Sequence, residues 1–236
     1  MEKSKGMVKI VASIFVFVEV ALGVLIQTTG GVICRILCFS SIVLSFLFSL
    51  FLSLKNREAD TAITAVALLF TVISDFFLVV MSPAIRVPAM FSFSFAQICY
   101  FLRIYRDTES RRERSVHLWV RFCAAIVFLV ACPIVLREKT DLLSMVSVFY
   151  FANLLANLVF AFMHYKRSLL FPLGLLFFIM CDLFVGLSVM SELYFEFSES
   201  SLIYRITHTE LDLIWLFYVP SQTLIPLSLI IKQGEE

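Results

Sequence analysis

The stretch LLFTVISDFF, residues 68–77, has a close counterpart in LLFFIMCDLF, residues 175–184. Each stretch contains one charged residue, which is Asp75 in the first and Asp182 in the second. An acid in the middle of a membrane helix disfavours insertion by about 2.5–3.5 kcal/mol, so it usually faces a polar interior and has a function. Two acids in matching contexts therefore predict a paired site.

The composition excludes an ordinary soluble domain. Hydrophobic residues make up 61% of the 236 residues and charged residues 16%, whereas globular chains are about 45–50% apolar and about 25% charged. The sequence has no basic patch with interleaved aromatic residues, so we expect no nucleic-acid partner. The partners that this composition predicts are membrane lipids.

Eight apolar runs are each long enough for a helix of about 20 residues, the length that crosses a bilayer. They predict an all-α integral membrane protein with eight transmembrane helices in a single domain, 1–236. The predicted spans lie near residues 7–26, 31–53, 61–81, 87–105, 116–136, 141–164, 169–190 and 212–231.

Lysine and arginine residues are distributed unevenly between the two ends of these spans. One end has the larger set: Lys3, Lys5, Lys9, Lys55, Arg57, Arg103, Arg106, Arg111, Arg112, Arg114, Lys166, Arg167 and Lys232. The other end has only Arg86, Arg137, Lys139 and Arg205. Basic loops remain in the cytoplasm, so both termini are predicted to be cytoplasmic.

The two acidic stretches belong to the third and seventh spans, which run in the same direction. Ala96-Gln97 in the fourth span and Ser221-Gln222 in the eighth are also alike. Two parallel four-helix repeats are one interpretation, and chance similarity between apolar helices is the other. The longest outer loop, 191–211, is acidic and is either a lid or a solvated connector; it contains Glu192, Glu196, Glu199 and Glu210.

Costly polar groups from four spans are predicted to share one layer of the membrane. At about 1.5 Å per residue, Asp75, Asp182 and Glu19 lie about 4–6 Å outward of the span centres and Arg35 about 10 Å outward. Glu19 and Arg35 could instead form a structural ion pair. Gln97, Gln222 and Asn153 lie near the centre and are candidates either for substrate binding or for helix–helix hydrogen bonds. Asn157, one turn from Asn153, is a candidate for such hydrogen bonds. Core packing is the alternative role for Tyr100, Tyr150 and Tyr218.

The residue types at this depth favour acid/base chemistry by carboxylates alone. His117, His164 and His208 lie near span ends, so the sequence predicts neither a metal site nor a histidine base for a nucleophilic triad. An apolar environment favours a protonated carboxyl group, and a second carboxylate nearby favours one shared proton. One neutral and one ionised acid is the arrangement used where an oxocarbenium ion forms.

Four motifs resemble the YhhN-like lysoplasmalogenase family in order and spacing over most of the chain. They are ALLF-x3-SD at 67–75, FAQ-x2-Y at 95–100, GLLF-x3-CD at 174–182 and Y-x2-SQ-x-LI at 218–225. Members of this family are integral membrane enzymes that cleave the vinyl ether bond of lysoplasmalogens to a fatty aldehyde and a glycerophospho-base.

The resemblance implies a role for each of these motifs. Asp75 and Asp182 occupy the family's two catalytic acid positions, no cofactor is required, and the substrate is a lysophospholipid. Gln97 stands where the family commonly has His, and Arg35-Ile36 stands where it commonly has Lys-Pro. We expect Arg35, Gln97, Tyr100, Asn153, Tyr218 and Gln222 to bind substrate and Glu19 to support the site.

Two geometric expectations follow from this interpretation. The carboxyl groups of Asp75 and Asp182 should face one cavity at about 3–9 Å from each other. Arg35 should point into the same cavity and either pair with Glu19 or bind a phosphate. A transporter in which these acids bind protons or a cation is the alternative function, and a lipid-binding protein without turnover is a third.

Overall fold

The computed structural model describes residues 2–195, 197–198, 200–207, 209 and 211–230, and these residues form helices and loops without strands. The α-helices are α1 (Glu2–Thr28), α2 (Gly31–Asn56), α3 (Ala59–Asp75), α4 (Arg86–Asp107), α5 (Arg111–Leu136), α6 (Leu142–His164), α7 (Leu170–Val189), α8 (Leu202–Thr207) and α9 (Leu213–Leu227). One turn of π-helix extends α3 over Phe76–Val80 and another extends α7 over Met190–Tyr194. The all-α prediction is confirmed.

Seven of these helices, α1 to α7, are long and apolar enough to cross a membrane. Their outer faces are apolar: Phe17 on α1 is 76% exposed and Ile134 on α5 is 69% exposed. Such surfaces suit contact with lipid, so the multi-pass membrane prediction is confirmed. α9 is apolar but has 15 residues, and the predicted eighth span continues to 231, which lies outside the described residues together with Lys232. Eight crossings and cytoplasmic termini stay predictions.

Local capping determines where several helices begin and end. Asp141 and Ser144 form a reciprocal capping box at the start of α6, and Asp212 accepts hydrogen bonds from the N–H groups of Ile214 and Trp215 at the start of α9. At the end of α2, Arg57 takes the left-handed conformation with φ 52°. These caps satisfy backbone groups that a helix end leaves free.

Small residues allow α7 and α9 to approach closely. A Cβ atom added at Gly174 on α7 would lie 2.8 Å from Cγ1 of Ile225 and 3.3 Å from the carbonyl oxygen of Ser221, both on α9. Small residues are the usual means by which membrane helices come into close contact. Gly174 precedes Asp182 by two turns, and Ser221 lies next to the turn that contains Tyr218. This contact therefore determines how α7 and α9 present those two side chains.

We expect Gly174→Ala to destabilise the protein by about 1–3 kcal/mol, because overpacking at a close helix contact forces the backbones apart. The measurement is the unfolding midpoint of the detergent-purified protein. Gly186→Ala on the same helix is the matched control, since its added Cβ meets nothing within 4 Å and alanine favours a helix. Equal destabilisation by both changes would contradict the close-contact explanation.

The segment predicted as an acidic outer loop contains short helical pieces. It includes the π-turn Met190–Tyr194 and α8. Glu192 forms an ion pair with Arg86 at 2.7 Å, which ties this segment to the start of α4. The other acids predicted there, Glu196, Glu199 and Glu210, lie outside the described residues, so the choice between lid and connector stays open.

Candidate active site

The first acid of the predicted pair is buried between α3 and α9. Asp75 is the last residue of α3 and is 3% exposed. The hydroxyl of Tyr218 on α9 donates a hydrogen bond to its Oδ2 at 2.6 Å. Asp75 is held at this helix end because Ser74 donates to the carbonyl oxygen of Ala89 on α4 at 2.8 Å.

The second acid has the same kind of partner from a different helix. The hydroxyl of Tyr150 on α6 donates to Oδ2 of Asp182 on α7 at 2.5 Å. Asp182 is partly exposed while its neighbour Cys181 is buried. In both pairs, Oδ1 of the aspartate accepts no hydrogen bond from the described residues, so one oxygen of each carboxyl group is available for chemistry.

The two aspartate–tyrosine pairs belong to one core. Tyr150 contacts Phe93 with ring centroids 5.6 Å apart, Phe93 contacts Phe178 at 5.8 Å, and Phe178 contacts Tyr218 at 5.5 Å. Tyr150 and Tyr218 thus bring both acids to the same aromatic core, and the separation of about 3–9 Å between their carboxyl groups stays a prediction. Two carboxylates held close together in an apolar core would disfavour double ionisation, and the division into one neutral and one ionised acid stays a prediction.

The similarity between the fourth and eighth predicted spans extends only in part to the hydrogen-bond partners of the two acids. Phe93 stands four residues before Gln97, as Tyr218 stands four residues before Gln222. Phe93 reaches the same core as Tyr218 but has no hydroxyl, and Tyr150 supplies the hydrogen bond to Asp182 instead. The sequence predicted both acids and Tyr218 for the site, whereas Tyr150 was left open between site and core.

The profile of the YhhN family matches residues 34–229. These residues include all four motifs and both aspartate–tyrosine pairs. The chain belongs to the YhhN family. Neither a curated protein nor a solved structure matches the chain significantly. The resemblance drawn from the motifs is thus confirmed for the family.

A second polar cluster occupies the α4 position where the YhhN family commonly has His. Gln97 is fully buried, and Nδ2 of Asn157 on α6 donates to its Oε1 at 2.8 Å and to its backbone carbonyl oxygen at 2.9 Å. Nη2 of Arg121 on α5 donates to Oδ1 of Asn157 at 2.6 Å. Arg121 was missed by the sequence analysis, although a charge inside an apolar span is the signal that identified Asp75.

Three buried polar atoms near the centre of the YhhN bundle have no hydrogen-bond partner among the described residues. They are Nε2 of Gln97, Oε1 of Gln222 and the hydroxyl of Tyr100. Buried polar groups are normally paired, so such atoms are candidates to meet a ligand or water. The substrate-binding roles predicted for these three residues stay predictions.

Glu19 and Arg35 do not form the ion pair that the sequence analysis left open. Glu19 is 1% exposed and accepts hydrogen bonds from the hydroxyls of Ser41 at 2.6 Å and Ser45 at 3.2 Å on α2. Those two serines lie one turn apart and hold both carboxylate oxygens. Glu19 therefore joins α1 to α2, and nothing in these contacts makes it support the aspartate pairs.

Arg35 binds backbone carbonyl groups where the π-turn after α3 ends. Its Nε donates to the carbonyl oxygen of Val79 at 2.7 Å, and its Nη2 donates to those of Val80 at 2.9 Å and Met81 at 3.2 Å. Helix ends leave carbonyl groups unpaired and attract cations, which explains the placement. Of the two alternatives, the ion pair with Glu19 is not formed, and the phosphate contact of Arg35 stays a prediction.

Asn153 is used within its own helix. Its Nδ2 donates to the carbonyl oxygen of Phe149 at 2.9 Å, so the residue that connects helices is Asn157 one turn later. Among the described residues, no three His, Cys, Asp or Glu side chains are grouped to hold a metal ion; His208 lies outside them. The predicted lack of a metal stays a prediction.

Proposed function

We propose that this YhhN family member is a lysoplasmalogenase-like hydrolase that cleaves the vinyl ether bond of a lysophospholipid. The observation that supports this proposal is the pair of aspartates inside the bundle, each of which accepts a hydrogen bond from a tyrosine hydroxyl of one shared aromatic core. Family membership favours the same reaction. We expect a fatty aldehyde and a glycerophospho-base as products.

Acid catalysis begins with proton transfer to carbon. The neutral aspartate gives its proton to the alkenyl carbon that does not carry oxygen, and the carbon bonded to oxygen becomes an oxocarbenium ion. The ionised aspartate stabilises this cation and takes a proton from the attacking water. The resulting hemiacetal then breaks its bond to the glycerol oxygen, which takes the proton that the second aspartate gained from water and leaves as the alcohol. The hemiacetal hydroxyl gives its proton to the first aspartate as the aldehyde forms, so both acids return to their starting states. Proton gain and loss balance, and one water is consumed.

The tyrosine hydroxyls orient one aspartate as the acid and the other as the base. Each donates to Oδ2 only, which fixes the carboxyl plane and leaves Oδ1 for proton transfer. A charge-assisted hydrogen bond of this kind is stronger than a neutral one. The surrounding phenylalanine rings, Phe93 and Phe178 among them, offer an apolar wall for the hydrocarbon chain of the substrate.

The decisive experiment is aldehyde release by the purified protein from a vinyl ether lysophospholipid, without any ion gradient. Alkyl ether and acyl lysophospholipids of the same chain length serve as parallel substrates. We expect turnover with the vinyl ether alone, because the alkyl ether has no double bond to protonate and the ester requires another mechanism. Failure to release aldehyde, together with proton or cation flux in proteoliposomes, would instead establish the transporter alternative.

We expect Tyr150→Phe and Tyr218→Phe each to lower the rate of aldehyde release by about 10–100-fold. A hydrogen bond to a charged group contributes about 1.5–3 kcal/mol, and every 1.4 kcal/mol corresponds to a factor of ten. Tyr194→Phe is the matched control, since it removes a 2.8 Å hydrogen bond from a tyrosine to Asp141 far from the pairs. An equal loss of aldehyde-release rate in all three variants would show that Tyr150 and Tyr218 stabilise the fold and have no specific role in the reaction.

A further inference from the structure

A cavity of about 290 Å³ opens at the end of the bundle that the sequence predicts to be cytoplasmic. It lies between the start of α3, the end of α4 and the loop between α6 and α7. Three of its six lining residues are arginines; the lining set is Glu58, Ala59, Asp60, Arg103, Arg106 and Arg167. The cavity is well separated from the aspartate pairs, because 15 residues of α3 between Asp60 and Asp75 span about 22 Å.

Arg103 forms the wall of this cavity and has a fully buried side chain. Its Nε donates to Oδ1 of Asp60 at 2.8 Å, and its Nη2 donates to the hydroxyls of Tyr165 at 2.6 Å and Ser228 at 2.9 Å. The guanidinium also lies 4.2 Å from the ring centroid of Phe171. The guanidinium is thus held rigidly at the base of the cavity.

Within the pair formed by Arg103 and Asp60, the hydrogen-bonding capacity left over is that of a donor, and Glu58 is the other acid that lines the cavity. Both carboxylate oxygens of Asp60 already accept hydrogen bonds from Arg103, and Oδ2 also accepts one from Tyr165. By contrast, Nη1 of Arg103 is buried without a hydrogen-bond partner among the described residues. Buried polar groups are normally paired, so an acceptor is missing beside this nitrogen.

Two further guanidinium groups lie toward the mouth of the cavity. Arg106 is exposed and forms no ion pair or hydrogen bond with the described residues. Arg167 binds Asp107 through Nε at 2.7 Å, which leaves its two terminal nitrogens. A hydrogen bond from Arg167 to Asp107 and the charge of Asp107 keep the pKa of the Arg167 guanidinium above its usual value, so this cation is permanent.

We propose that this cavity binds a phosphate oxyanion through Arg103, Arg106 and Arg167. Guanidinium groups match phosphate geometry with paired N–H donors, and basic pockets between membrane helices at the cytoplasmic surface bind anionic lipid head groups. The ligand is the phosphate of an anionic membrane lipid or a free phosphate group. The site is separate from the proposed hydrolase site and does not depend on it.

Binding to the detergent-purified full chain tests the proposal by native mass spectrometry. The probes are phosphatidylglycerol, diacylglycerol as the lipid without a phosphate group, and inorganic phosphate. We expect Arg106→Gln to weaken binding of the anionic probe about tenfold, the effect of one lost charge-assisted hydrogen bond. Arg112→Gln is the matched control, because Arg112 is also exposed at this end but lies outside the cavity.

A second variant tests whether the buried guanidinium of Arg103 contributes to binding. Arg103→Lys keeps the charge but loses the fork geometry, and we expect it to weaken binding while the chain remains folded. The expected pattern is weaker binding by Arg106→Gln and Arg103→Lys but not by Arg112→Gln. If phosphatidylglycerol shows this pattern, the ligand is a lipid head group. If inorganic phosphate shows it, the ligand is a soluble phosphate. Equal weakening by Arg106→Gln and Arg112→Gln, or equal affinity for diacylglycerol, would overturn the site. Asp75→Asn should leave binding unchanged, whatever its effect on hydrolysis.

Discussion

Asp75→Asn and Asp182→Asn are each expected to lower aldehyde release by about 10²–10⁴-fold, the usual contribution of a positioned acid or base. Asparagine nearly keeps the shape of the side chain and can still accept the hydrogen bond from Tyr218 or Tyr150. It has neither the transferable proton nor the negative charge that the mechanism needs. The measurement is the rate of aldehyde release from the vinyl ether lysophospholipid at saturating substrate.

Stability distinguishes loss of chemistry from loss of fold in these variants. Removing an acid from the membrane interior removes an unfavourable group, so both Asn variants should unfold at the same temperature as the unchanged protein or higher. Glu19→Gln is the matched control, because Glu19 is an acid as buried as Asp75 whose contacts are with Ser41 and Ser45. Unchanged turnover in both Asn variants, or an equal loss in Glu19→Gln, would contradict the two-acid mechanism.

The membrane fold and the acids could be predicted from sequence because both signals are local. An apolar run of about 20 residues identifies a span wherever it lies, and one carboxylate inside such a run is conspicuous. Asp75 and Asp182 stood out for this reason. Arg121 carries the same signal and was overlooked, although the structure places it in the cluster with Asn157 and Gln97.

The partners of the acids required three-dimensional information. Tyr150 and Asp182 are 32 residues apart, and Tyr218 and Asp75 are 143 residues apart, so no spacing rule connects them. Arg35 was predicted to bind substrate, and an ion pair with Glu19 was left open because opposite charges at similar depth attract. The carbonyl groups at the end of the π-turn proved to be its partners, and their availability depends on where that turn ends.

The buried ion pair at the predicted cytoplasmic end gives the largest expected effect on stability. We expect Arg103→Met to destabilise the protein by about 3–5 kcal/mol, because removing one partner leaves the other as an uncompensated charge. Asp60 would keep only the hydrogen bond from Tyr165, at 3.2 Å, and Ser228 would lose the donor that now reaches it. The free energy of unfolding in mixed detergent micelles measures the change.

Arg167→Met is the matched control for this prediction, since Arg167 and Asp107 form an ion pair through the same atoms. Its Nε–Oδ1 distance is 2.7 Å, and Asp107 is about as exposed as Asp60, at 13% against 15%. The two pairs therefore differ in the arginine, whose side chain is 44% exposed in Arg167 and fully buried in Arg103. Exposed pairs contribute about 0–1 kcal/mol, so Arg167→Met should change stability by no more than that. Adding Asp60→Asn to Arg103→Met should recover part of the loss, because it removes the stranded charge. Equal destabilisation by Arg103→Met and Arg167→Met would show that burial does not determine the strength of this pair.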